Sequence, residues 1–368
     1  MSTDERVETP APTPPTATKA RHWKKILAVL IIAPVVLLGA VFSMAQFERG
    51  TFMLCRIINT LSAGMVKVDW SSGTLAHGGA ANSVNIHLSS THVDINNVSG
   101  KWAWDYVPLR WRVLNLAADE VNVTIIPTPS TGKPVGNILM PFIIEAERVQ
   151  VATVNIITST NTTTLYHIDG AVSSDKRNHQ INLSSLTQGT ADYRGEVKID
   201  GVRPFAIDGQ VQAISTVDNH EYQLDLSAKG DFKRLNLTVN ASGGVPEQPL
   251  SGKGDLQIQL LDQYYIHKGQ VNLAHLNPYV FWNKLLKADL DVTLNATPQA
   301  VDATDNERQP VNGDWLVINH APAPLSDFAL PVQQVSGRFA LTSQKQDLND
   351  IKIIVSNNGL IQGNGVWQ

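Results

Sequence analysis

Along this chain, apolar and polar residues alternate with a period of two over short runs separated by Gly, Asn, Asp and Ser, the pattern of half-buried β-strands. In EYQLDLSAKGDFKRLNLTVNASGG, Tyr222, Leu224 and Leu226 occupy one face of a first strand. Leu235, Leu237 and Val239 occupy the facing side of a second, with a tight turn between. The alternation begins at about Val66 and recurs to the end. It places Val84, Ile86 and Leu88 together in SVNIHLSS, Val121, Val123 and Ile125 in DEVNVTII, and Val197 and Ile199 in GEVKIDG. Leu256, Ile258 and Leu260 follow in GDLQIQLLDQ, Leu290, Val292 and Leu294 in ADLDVTLNAT, and Phe339 and Leu341 in GRFALTS. All of these are candidates for one continuous apolar face.

Helical patterns are scarce. GTFMLCRIINTLSAG places Phe52, Cys55, Ile58 and Leu61 at helical spacing with Arg56 and Asn59 facing away, which predicts an amphipathic helix over 47–65. It serves either as a plug for one end of the sheet or as an element lying on a membrane surface. LNPYVFWNKLLK offers Asn277 as an N-cap and Pro278 at the first helical position, and LMPFIIEAE is ambiguous. A parallel α/β fold needs regular crossover helices and is excluded. The fold class is therefore mainly β: a transmembrane helix, then an elongated, twisted, repeating β-sheet groove of about fifteen strands over 66–368. A sandwich or barrel is the alternative for part of the chain.

Residues 1–22, rich in Pro, Thr and Ala, read as a disordered tail. Ile26 to Phe42 then gives 17 uncharged, mostly apolar residues, and residues 23–46 are long enough to span a bilayer. Lys19, Arg21, Lys24 and Lys25 precede the run, so the positive-inside bias puts the tail in the cytoplasm and the main body outside it. A cleavable signal ending near Ser43-Met44-Ala45 is the rival reading, and it also exports the body. Trp23, Lys24 and Lys25 would lie at the membrane interface.

Composition narrows function by exclusion. With 368 residues, 43% hydrophobic and 17% charged, the chain has ample apolar content for a core. A net charge of -4 with interspersed signs gives no basic stripe, which argues against nucleic acid. Cys55 is the single cysteine and reads as a small apolar residue. His220-Glu221 opens like a zincin helix but position 224 is Leu; Gly252 and Gly254 lack a third glycine at Gln257; no G-x-S-x-G is present. His87 and His92 sit near adjacent strands without a carboxylate cluster at metal spacing. No catalytic residue, metal or cofactor is expected, and the chain reads as a non-enzyme.

Beyond the alternation, longer stretches carry a family resemblance. VDWSSGTLAHGGAANSVNIHLSSTHVDINNVSGKWAWDYVPLRWRVLNLAADEVNVTI resembles the opening of AsmA-like and TamB-like envelope proteins, with a W-x-P-L-R type turn and an L-x-A-x-x-V-x-V strand. YRGEVKIDGVRPFAIDGQVQA, LNLTVNASGGVPEQPLSGKGDLQIQ and the last stretch from Val311 resemble TamB repeats. The resemblance implies a single-pass inner-membrane protein of a Gram-negative envelope with a periplasmic β-groove, acting in lipid traffic and outer-membrane biogenesis. It also implies phospholipids as partners and an outer-membrane barrel partner, met through a C-terminal region beyond Gln368, so the chain reads as an N-terminal portion.

The cluster KWAWDYVPLRW adds Trp102, Trp104 and Trp111 as candidates for an interfacial belt, with edge-strand packing as the alternative. Two function classes stay open. One is a conduit in which the apolar face meets acyl chains; the other is a scaffold for outer-membrane protein or autotransporter assembly that binds clients by strand addition.

Overall fold

A computed structural model describes residues 39–127, 136–261, 265–299, 309–342, 345–356 and 359–367. Residues 39–45 are helical and turn at 46–47 into α1 (Glu48–Leu61). The expected span over 23–46, with Trp23, Lys24 and Lys25, lies otherwise outside the described residues, among which no helix is long and apolar enough to cross a membrane.

Strands then follow almost without interruption: β1 (Val66–Thr74), β2 (Gly78–His87), β3 (Thr91–Tyr106), β4 (Leu109–Ile125), β5 (Ile143–Ile157) and β6 (Thr162–Ser174). Next come β7 (Asn178–Gln188), β8 (Ala191–Asp200), β9 (Ile207–Val217), β10 (His220–Asp231), β11 (Arg234–Val245) and β12 (Gln248–Gln259). β13 (Tyr265–Leu276) leads into the single-turn helix α2 (Pro278–Phe281), and β14 (Leu290–Pro298), β15 (Val311–Asn319), β16 (Val332–Leu341), β17 (Gln346–Val355) and β18 (Gly359–Trp367) complete the sheet.

The result is one 18-stranded sheet in which each strand pairs with its neighbours in sequence, three more strands than the alternation alone predicts. Among the described residues β18 does not return to β1, so the sheet is open. At about 4.8 Å per strand it runs roughly 80 Å along the stacking direction. Every pairing is antiparallel except β4 with β5. That exception answers the ambiguity of LMPFIIEAE: Ile143 and Ile144 start a strand because Arg110 and Trp111 of β4 lie beside them in parallel register. A parallel neighbour requires the chain to cross back, and residues 136–142 do so along one rim of the sheet. There the Ile138 N–H donates to the Gly201 carbonyl at 2.7 Å and the Met140 N–H to Lys176 at 2.8 Å.

Substantial packing beyond neighbouring strands involves the two helices, α1 on β1 and α2 on β9. The amphipathic helix is as expected in place but rotated. Thr51, Leu54 and Cys55 face the sheet against Trp70 and Ala81, whereas Phe52, Ile58 and Leu61 are exposed. Asn59, expected to face away, faces the sheet edge: its side-chain N–H donates to the Val68 carbonyl at 2.9 Å and its oxygen accepts from the Val68 N–H at 2.7 Å. The reason is the edge itself. Among the described residues β1 pairs only with β2, and its outward backbone groups need partners that an apolar side chain cannot supply.

The second predicted helix is also shorter than its pattern. Asn277 caps it, accepting from the Tyr279 N–H at 3.2 Å, but the turn ends at Phe281 and Trp282 is extended. Val280 and Phe281 are both buried against the sheet, and the chain then leaves the helix to reach β14.

Candidate functional site: an apolar groove

Residues directly opposed in adjacent strands share a face, so the register traces that face strand by strand. One row runs Trp102, Val113, Ala146, Val172, Ile181, Val197, Gly209 and Ala228 across β3–β10. It continues through Leu237, Leu256, Gly269, Ala296, Gly313, Phe339, Leu348 and Gly365 across β11–β18. Not one polar side chain interrupts it.

The expected lining residues fall on this face wherever they lie in strands. Val197, Ile199, Tyr222, Leu224, Leu226, Leu235, Leu237, Val239, Leu256 and Ile258 join it through β8–β12. Leu290, Val292, Leu294, Phe339 and Leu341 join it through β14–β16. Val84 and Ile86 oppose Ile95 and Val93, which in turn oppose Val121 and Val123, with Ile125 next in line; Val84 packs with Trp102 beneath α1. Two expectations need correction. Leu88 and Leu260 lie just past the ends of β2 and β12, exposed and outside the ladder: the Leu88 N–H closes the β2–β3 turn onto the Thr91 carbonyl, and the Leu260 N–H donates to the Phe232 carbonyl in the turn between β10 and β11. Leu235, Phe339 and Leu341 are almost fully buried, so they build the floor more than the open lining.

The opposite face is polar. Arg194 donates to Gln212 at 2.6 Å and Gln212 donates to Asp225 at 2.6 Å. Similar cross-strand ladders link Gln257 to Asn236, and Asn155 to both Glu120 and Asn122. Water satisfies this face, so the apolar one is the face in need of cover.

No second sheet provides that cover among the described residues. A cavity of about 540 Å³ is lined by Val197, Ile207, Val211, Leu226, Leu237, Val239, Leu256 and Val271, from strands as far apart as β8 and β13. At Ile207 it meets a cavity of about 680 Å³ at the crossover rim, where Ile144 and Ile199 of the apolar face are joined by Glu145, Gln180, Lys198, Asp208 and Lys229 of the polar one. At the crossover rim His179 bonds through Nδ1 to the Ser174 hydroxyl and through Nε2 to the Ile138 carbonyl, both at 2.9 Å. Beside it the Arg177 guanidinium and the Val202 N–H hold the Asp200 carboxyl down to about 2. At the other rim α2 closes the groove: Val280 and Phe281 pack on Ala213, Leu250, Val271 and Leu273. There the Tyr193 hydroxyl donates to the Phe281 carbonyl and burial pushes the phenol up.

Small inward residues escaped the sequence reading. Gly252 and Gly254 read as a failed dinucleotide motif; in the fold Gly254 is groove floor, and a Cβ there would lie 2.8 Å from Val239 Cγ1 and 2.9 Å from Val271 Cγ2. A glycine at inward parity inside an alternating run was the available signal. The tryptophans pack with one another on the groove face. Trp102 donates through Nε1 to the Leu75 carbonyl at 2.8 Å, and Trp104 stacks on Trp111 with centroids 5.8 Å apart. Their strands, β3 and β4, are interior rather than edge strands.

His87 and His92 are direct cross-strand partners with stacked rings, and Asp94, unanticipated, reaches His87 at 3.3 Å. Among the described residues no group of three His, Cys, Asp or Glu side chains is arranged to hold a metal ion. Burial raises the Cys55 thiol, which keeps it protonated within the α1 packing. Compared with known proteins, the chain matches no family model, no curated protein and no solved structure.

Proposed function

We propose that this chain is an inner-membrane-anchored envelope protein whose apolar β-groove carries phospholipid acyl chains toward the outer membrane and so supports envelope integrity. The observation that carries the reading is the uninterrupted apolar row across β3–β18 together with the apolar cavity that opens on it between β8 and β13. Each CH₂ withdrawn from water is worth about 0.8 kcal/mol, so a sixteen-carbon chain crossing water unaided meets a cost of about 12 kcal/mol. A gutter of Val, Leu and Ile offsets that cost along its length while head groups stay in water at the open side. This explains why the groove needs no specific polar pocket. The resemblance of the sequence to AsmA-like and TamB-like proteins supports the same reading.

A second reading draws on one observation: among the described residues β18 pairs with β17 alone, and Leu360, Ile361 and Trp367 are exposed on it. Such an edge suits strand addition by a client polypeptide or a barrel partner. A photo-crosslinking amino acid placed in cells at inward Leu226, at outward Gln223 and at Leu360 of β18 separates the two. Phospholipid adducts at Leu226 but not Gln223 are expected for the conduit. Polypeptide adducts at Leu226 and β18, without lipid, would replace it by the scaffold.

A further inference from the structure

The turn joining β3 to β4 is unusually greasy for a water-exposed hairpin. Tyr106, Val107 and Leu109 are 57%, 94% and 42% exposed, with Pro108 between them. Such a cluster at a loop tip is costly in water and marks a contact. Its neighbour identifies the contact. The Tyr106 ring meets Phe42 edge-on at 5.4 Å, and Phe42 is the last residue of the apolar run that begins at Ile26. The tip therefore lies beside the point where that run enters the folded domain.

The hairpin is layered in the order a membrane surface demands. Below the apolar tip come Asp105 and Arg110, opposed in register, and then the stacked pair Trp104 and Trp111. Arg112 follows, paired with Asp105 at 3.1 Å. Apolar side chains outermost, then aromatics and arginines, then sheet, match hydrocarbon, head-group layer and water.

We propose that the β3–β4 tip inserts into the bilayer surface next to the anchor. The occupant of this patch is lipid at the boundary between acyl chains and head groups, reached to a depth of about 5–10 Å. With both the anchor and the hairpin fixed, β1–β4 are held at the membrane and the sheet is led away from it, so the tip sets the groove's orientation. The inference rests on reading residues 23–46 as a membrane anchor.

The test uses the full chain in phospholipid vesicles. Cys55 is the only cysteine and is 4% exposed, so an environment-sensitive dye on Val107→Cys reports that site alone. Companion labels are Leu360→Cys on β18 and Val36→Cys in the apolar run. Nitroxide-bearing lipids should quench the Val107 label several-fold more than the Leu360 label, and iodide should quench it less. Quenching by lipid at Val36 but not at Val107 overturns the proposal and leaves the anchor standing. A Val107 label shielded from iodide yet untouched by lipid nitroxide overturns it in favour of a second copy or another protein. If Val36 is unquenched, the anchor reading fails and takes the proposal with it, a pattern distinct from failure of the hairpin alone.

Discussion

Two leucines on the same apolar face differ sharply in exposure, and that difference separates an open groove from a closed core. Leu226 is 45% exposed and lines the cavity of about 540 Å³, whereas Leu250 is 1% exposed beneath α2. Fully burying a leucine is worth about 1.5–3 kcal/mol, so Leu226→Asp forfeits about 1 kcal/mol and leaves its charge in water. Leu250→Asp loses about 2–5 kcal/mol of packing and adds several more for an unpaired buried carboxylate. That sum rivals the 5–15 kcal/mol that holds an ordinary domain together. Urea unfolding of the purified chain, followed by tryptophan fluorescence, should give a small shift for Leu226→Asp and no folded baseline for Leu250→Asp. Cellular abundance should follow the same order, while outer-membrane barrier integrity should fall for Leu226→Asp despite normal abundance. Equal destabilisation by the two changes would mean that Leu226 is covered in solution, and the groove argument would fall.

Three further expectations are independent of lipid. Asn59→Ala removes both bonds to the Val68 peptide, should cost about 1–3 kcal/mol by thermal unfolding, and should promote self-association through the uncovered β1 edge in sedimentation. Phe281→Ala withdraws the 6%-exposed ring that closes one rim and should cost about 3–5 kcal/mol in urea; a change below about 1 kcal/mol would show that α2 is not a structural closure. His320 is raised above its ordinary 6.5 by its 2.8 Å bond to the Asp291 carboxylate. A raised histidine stabilises fully below its unfolded value and loses that contribution as pH climbs through the folded one. The difference in urea midpoint between the native chain and His320→Gln should therefore shrink as pH rises above 6.5 through the raised folded value, and a growing difference would contradict the pairing.

How much of this was legible in the sequence depends on whether the signal is local. The β10–β11 hairpin was, because alternation fixes faces and Asp231 fixes the turn, its side chain accepting from the Lys233 and Arg234 N–H groups at 2.7 and 3.0 Å. The strand at Ile143 was not, because it depends on a parallel neighbour over thirty positions earlier in the chain, at Arg110. Nor could alternation be followed blindly through the middle of β3, β6 or β17. Asn97, His167 and Asp350 take positive φ there, and such a residue shifts which face the following side chains join. The floor glycines and alanines, such as Gly209 and Ala228, carry no hydrophobic signal although their partners Val197 and Leu237 do. Asn59 shows the limit from the other side: helical periodicity ranks faces by apolarity, but the facing edge of β1 selected the face with a hydrogen-bonding amide.

That selection gives the sheet a direction. An open sheet has two edges, each a row of unpaired N–H and C=O groups able to recruit another strand. Here the β1 edge is occupied, since Asn59 takes both backbone groups of Val68 and the Ser62 hydroxyl donates to the Val66 carbonyl at 2.7 Å. The β18 edge carries no such cover among the described residues. The end nearest α1 and the apolar run is thus the covered one. Because the apolar row is carried strand to strand by register, each strand added in register to β17 and β18 prolongs the groove by about 4.8 Å without any change to the strands before it. On the proposed reading, length away from the membrane and reach of the acyl path are then the same quantity, and blocking the β18 edge should shorten both together.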